Sequence, residues 1–67
     1  MHVRIDQIAA EISAALRGQG SSLSPDQVSA AVNDRCRRRV ARPTIPIVYE
    51  FVRADLRRAG ISVERDA

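Results

Sequence analysis

The sequence predicts an all-α fold, a compact three-helix bundle. Three observations predict it. Apolar residues recur every three or four positions in three separate segments, glycine or proline punctuates the gaps between them, and no segment alternates in the manner of a strand. Helices are expected over about residues 5–17, 25–41 and 45–59. Together they make one bundle over 1–60, followed by a C-terminal tail over 61–67.

The first helix rests on Ile5, Ile8, Ile12 and Leu16, with Ala9 and Ala15 alongside. Asp6 and Glu11 stand toward its N-terminal side and Arg17 in its last turn, the arrangement the helix dipole favours. Gly18 and Gly20 end it, glycine being the residue that takes the left-handed conformation of a C-terminal cap. The second helix opens on clear local grammar. Ser24 suits the N-cap, Pro25 the first helical position, and Gln27 stands three after the serine as a capping box requires. Leu23 before the cap and Val28 after it are placed to close a hydrophobic staple. Val28, Val32, Cys36 and Val40 then step by four, with Ala31 beside them, and Pro43 forces the helix to end before it.

The third helix begins at Thr44 as N-cap, which puts Pro46 in the first turn, where its missing N–H removes no intrahelical bond. Gly60 marks its end, and Ile61 to Ala67 reads as a tail from which Ile61 or Val63 could fold back onto the bundle. The stretch TIPIVYEFVRADLRRA carries more apolar surface than one packed face needs. At 100° per residue Ile45, Val48, Tyr49, Val52, Leu56 and Ala59 fall on one arc, and Ile47, Phe51 and Ala54 fall on another beside it. A packed helix needs a stripe of roughly 100°, about half of what is present. The surplus has two readings. Either helix 3 is central and its neighbours cover both flanks, or Ile47, Phe51 and Ala54 meet another chain, with Phe51 as anchor and Tyr49 and Arg58 at the rim.

Sixty-seven residues make a single small domain, of a size that gains from pairing or a partner. The net charge is +3 and all 11 strongly basic residues are arginine. An arginine-only, alanine-rich chain also reflects a GC-rich genome, and +3 by itself does not indicate DNA binding. Arg35, Arg38, Arg39 and Arg42 nonetheless form a candidate basic patch: on a helical wheel Arg35, Arg39 and Arg42 line one edge of the apolar stripe of helix 2 with Arg38 close by, while Arg37 points elsewhere. Such a row meets phosphates, lines the rim of a protein interface, or stays solvated over the core edge. The start of helix 3, Ile45, Pro46, Ile47 and Val48, offers no hydrogen-bonding group of the kind a helix-turn-helix uses to read bases.

Nothing in the sequence composes an active site. Cys36 lies among arginines that favour thiolate, but it also falls on an apolar stripe, where a free cysteine acts as a small buried hydrophobe. His2 has no partner for acid–base work. The carboxylates form no pair: Glu50 and Asp55 lie on different faces, and Asp26 and Asp34 at opposite ends of helix 2. There is no phosphate loop and no nucleophile motif. No cofactor, metal or membrane segment is expected, and the single cysteine fits a reducing cytoplasm.

The order of signals, an apolar first helix, SPDQV opening the second, and an arginine-bearing end leading into IPIVYEFVRADL, resembles the small three-helix bundle dimerization domains of bacteria. These occur ahead of arsenate-reductase-like phosphatase domains and as free-standing proteins. The resemblance covers about residues 5 to 60 and rests on Val28, Val32, the proline-led start of helix 3, Val52, Arg53 and Leu56. It implies a fold and a habit of pairing. With no phosphatase domain in the sequence up to Ala67, it carries over no catalysis. Two classes of function follow. One is a non-catalytic interaction protein that self-dimerises or docks on a cognate protein, such as the toxin of a toxin–antitoxin pair. The other is an arginine-rich nucleic-acid-binding protein or transcriptional regulator.

Overall fold

Residues Ile8, Ala9, Ile12 and Leu16 return to one side of a helix at each turn, and burying that side is what makes the segment helical in place. In a computed structural model, which describes residues 4–63, α1 spans Ile5–Arg17 and buries these four together with Ser13. Gly18 follows with a helical φ of −73°, so it does not take the left-handed conformation expected of it. The helix instead closes on a tight turn in which the Gln19 N–H donates to the Leu16 carbonyl at 2.9 Å, and Gly20 redirects the chain at φ 137°.

A two-residue strand, β1 (Ser22–Leu23), leads into α2 (Pro25–Cys36). The capping box forms as the sequence predicts. The Gln27 N–H donates to Ser24 Oγ at 3.1 Å, and the Ser24 N–H donates to Gln27 Oε1 at 2.9 Å. Two donors at the helix start are thereby satisfied. Leu23 and Val28 are both buried in the same core cluster, as the staple requires.

Helix α2 ends at Cys36 rather than near residue 41. Continued to 41, it would stack Arg35 on Arg39 one turn apart, a like-charge pair. The chain turns instead. Arg37 is extended at φ −55° and ψ 126°, Arg38 is left-handed at φ 66°, and the Arg39 and Val40 N–H groups both donate to the Cys36 carbonyl, at 3.0 and 3.2 Å. These are the angles of a type II turn, whose third residue is ordinarily glycine. The turn returns Val40 to the edge of the core.

A 3₁₀ turn over Arg42–Thr44 runs directly into α3 (Ile45–Arg58), with Pro46 in its first turn as expected. Thr44 occupies the N-cap position, but its side chain caps nothing. The preceding turn holds it at φ −84° and ψ −20°, not the extended conformation from which a threonine hydroxyl caps. At the other end Gly60 is left-handed at φ 81°; its N–H donates to the Arg57 carbonyl and the Ile61 N–H to the Leu56 carbonyl. This pair of bonds closes a Schellman cap that needs glycine at its left-handed position. The cap swings residues 62 and 63 back as β2 (Ser62–Val63). This strand pairs in parallel with β1, Ser22 opposite Ser62 and Leu23 opposite Val63. The bundle therefore extends past Gly60, with Ile61 and Val63 packed against the core. His2 and residues 64–67 lie outside the described residues.

Helix α3 is the central element: it packs on α1 most extensively and also holds α2 and β2. Val48, Val52 and Leu56 are fully buried, and Ile45 and Tyr49 close the edges. No helix among the described residues is long and apolar enough to cross a membrane.

Candidate functional site

Because α1 and α2 both pack on α3, the reading in which α3 is central and fully covered meets a direct test. It fails at two side chains. Ile47 remains 48% exposed and Phe51 45% exposed, and they are the exposed large hydrophobics of the described chain. They stand one turn apart, on the arc next to the buried Val48, Val52 and Leu56. Ala54 and Arg58 continue the same face and are also exposed. Phe51, Ala54 and Arg58 border a depression of about 290 Å³ whose other walls are Asp6, Glu50 and Asp55.

The acidic and basic groups around this face are tied to one another. Arg58 is ion-paired with Asp55 one turn back, and Asp6 with Arg4 at 3.1 Å. Asp55 is also the link to α1, its carboxylate lying 3.4 Å from the Ser13 hydroxyl. Ser13 donates its one proton to the Ala9 carbonyl at 2.5 Å, so the carboxylate contact is secondary. Sequence reading missed Ser13 as a core position. The available signal was its spacing of four from Ala9 on the edge of the first stripe, which puts two small residues side by side where α3 approaches.

Tyr49 stands apart from Ile47 and Phe51. It is half-buried, borders the α2–α3 groove with Val32, Asn33, Ile45 and Pro46, and carries the Arg53 guanidinium 5.9 Å from its ring centroid. Two residues along a helix is a rotation of about 200°, which places Tyr49 away from both its predicted companions. Arg53 in turn pairs with Glu50 at 3.6 Å.

The basic residues are not arranged as the helical row predicted. Only Arg35 remains on α2. Arg38 sits at the crest of the turn, and Arg42 enters the 3₁₀ turn. Arg39 reaches across to α1 and pairs with Glu11 at 3.3 Å. Arg37, expected to point elsewhere, lines a depression of about 420 Å³ together with Arg42, Ala30, Asn33, Asp34 and Ile45.

Cys36 is fully buried in the core cluster. Burial pushes its thiol up from the ordinary value of 9.0, and the Arg39 charge opposes this in part. A thiol held protonated and out of solvent is a packing group, not a nucleophile. Among the described residues no group of three or more histidine, cysteine or carboxylate side chains is placed to hold a metal ion. No protein-family model, curated protein or solved structure matches the chain.

Proposed function

We propose that this chain is a non-catalytic protein–protein interaction module whose α3 face of Ile47, Phe51, Ala54 and Arg58 docks on protein. The partner is a second copy of the chain or a cognate protein that it regulates, the antitoxin of a toxin–antitoxin pair being one form. The resemblance to small bacterial dimerization domains supports both the pairing and a bacterial cytoplasmic setting, and a free, buried cysteine suits a reducing compartment.

The observation that carries the reading is the exposure of an isoleucine and a phenylalanine, one turn apart, on the helix that organises the core. The core face of α3 is closed by the fully buried Val48, Val52 and Leu56, so the one phenylalanine of the chain is left beside a completed core rather than in it. Closing the exposed halves of both side chains contributes on the order of 2 kcal/mol before association costs. That is an anchor and not a whole interface. A stable contact buries about 800 Å² on each partner, so neighbouring polar surface of α1 and α3 must join it.

Light scattering across a concentration series tests self-association, and co-purification from the native host tests a cognate partner. Phe51→Asp is expected to abolish whichever contact the wild type makes, while leaving the helical circular dichroism intact. A wild type that stays monomeric, retains no partner and is unaffected by Phe51→Asp would sink the proposal.

A further inference from the structure

The α3 face leaves one other surface of pronounced character unassigned. Around the C-terminal end of α2, Arg35, Arg37, Arg38 and Arg42 are all exposed, and none has an ion-pair partner among the described residues. Three of them border adjoining depressions. Arg37 and Arg42 border one depression, Arg35 borders the next beside Gln27 and Ala31, and the two depressions share Ala30 and Asp34. The only carboxylate common to both is Asp34.

We infer that this surface is a docking site for the phosphate backbone of duplex nucleic acid, contacted without sequence readout. Charge complementarity selects a polyanion, and arginine guanidinium groups match phosphate geometry. The patch also lacks what a protein partner requires. Protein interfaces have an apolar centre inside a polar rim, whereas the exposed large hydrophobics, Ile47 and Phe51, border neither depression. Duplex is favoured over single strand because no exposed aromatic lies in the patch for bases to stack on. Backbone contact is favoured over base readout because the start of α3 presents Ile45, Pro46, Ile47 and Val48, which carry no side-chain hydrogen-bonding group. The early end of α2 contributes as well. The turn at Arg37 and Arg38 spreads guanidinium groups around the helix end, where a straight helix would hold Arg37 away from Arg42.

This inference does not rest on the proposed protein-docking face, since the two surfaces share no residue. The test is fluorescence anisotropy with a labelled mixed-sequence DNA duplex of about 20 base pairs, titrated at salt from about 50 mM to about 200 mM. Four phosphate contacts predict a slope of log affinity on log salt of about −3 to −4, a loss of roughly a hundredfold over that range. Arg37→Gln with Arg42→Gln is expected to reduce the slope by about 2, whereas Arg17→Gln with Arg57→Gln, with the same change in net charge, leaves it nearly unchanged. Asp34→Asn is expected to tighten binding two- to threefold, and Phe51→Asp to leave it unaltered. No binding at the lowest salt, or equal losses from the two double variants, would overturn the inference. So would displacement of the duplex by polyglutamate at matched charge, which would reassign the patch to an acidic protein segment.

Discussion

Cys36 illustrates how position outranks residue type. Its sequence neighbours Arg35, Arg37 and Arg39 lower a thiol's pKa wherever they stand close to it in water, yet the side chain is fully buried and its pKa is raised. Desolvation is the larger effect and the Arg39 charge the smaller. The sign of the pH dependence follows. The native state holds the thiol protonated above the pH at which the unfolded chain ionises, so its contribution is intact below about pH 9 and is lost as pH rises toward the native value. Urea midpoints measured from pH 7 to 10.5 are expected to fall more steeply for the wild type than for Cys36→Ala. A thiol reagent is expected to react only at the rate of unfolding. Parallel pH profiles, or fast labelling of the native protein, would contradict this. Phe51 makes the converse point. As the one phenylalanine it reads as core by type, and the packing leaves it nearly half exposed.

Each helix end has a different device, and the devices explain which boundaries were predictable. The start of α2 is set by side chains within one turn, so the capping box was legible from Ser24, Pro25 and Gln27 alone. The end of α3 is likewise local, because only glycine enters the left-handed position of the Schellman cap without strain. The end of α2 is only partly local. The like charges of Arg35 and Arg39 disfavour continuing the helix, and the return of Val40 to the core edge and the reach of Arg39 to Glu11, contacts between elements, accompany the turn. The helix consequently ends with Arg38 in a conformation that costs an L-residue roughly 1–2 kcal/mol. Replacing it with glycine relieves that cost but loosens the unfolded chain by about 0.5–1 kcal/mol. Arg38→Gly is therefore expected to stabilise the protein by about 0.5 kcal/mol, or about 3 °C in Tm. Arg38→Val, β-branched and less tolerant of positive φ, is expected to destabilise it. Thermal melts decide, and a lower Tm for the glycine variant would refute the account.

The whole molecule is held together around α3, and its radius of gyration of 11.2 Å matches the roughly 11 Å of a compact domain of this length. The α1–α2 connection and the segment after α3 are joined by β1 and β2, a contact between residues 40 positions apart, Ser22 with Ser62. Terminating the chain after Gly60 removes the partly buried Ile61 and Val63, the Ile61 N–H bond of the cap and the bond from the Ser62 N–H to the Ser21 carbonyl. The expected cost is about 2–4 kcal/mol, a large share of the stability of so small a domain. Ile61→Ala alone is expected to cost about 1–2 kcal/mol. If residues beyond Gly60 only trailed from the bundle, both variants would melt with the wild type.

The sequence by itself determined the number and order of the helices and their large buried apolar positions, and with them the three-helix bundle. These follow from apolar periodicity, capping chemistry and the conformational limits of glycine and proline, all of which act within a few residues of chain. It also singled out Ile47 and Phe51, since two arcs on one helix are visible in spacing alone. Only the tertiary structure decided that neighbouring helices leave the second arc open, that Tyr49 faces the α2–α3 groove, and that Ile61 to Val63 belong to the bundle. It alone scattered the arginine row into a turn, pairing Arg39 with Glu11 and bringing Arg37 beside Arg42. Those outcomes depend on which surfaces meet after the helices pack, and residues distant along the chain carry no local signal of where they will meet.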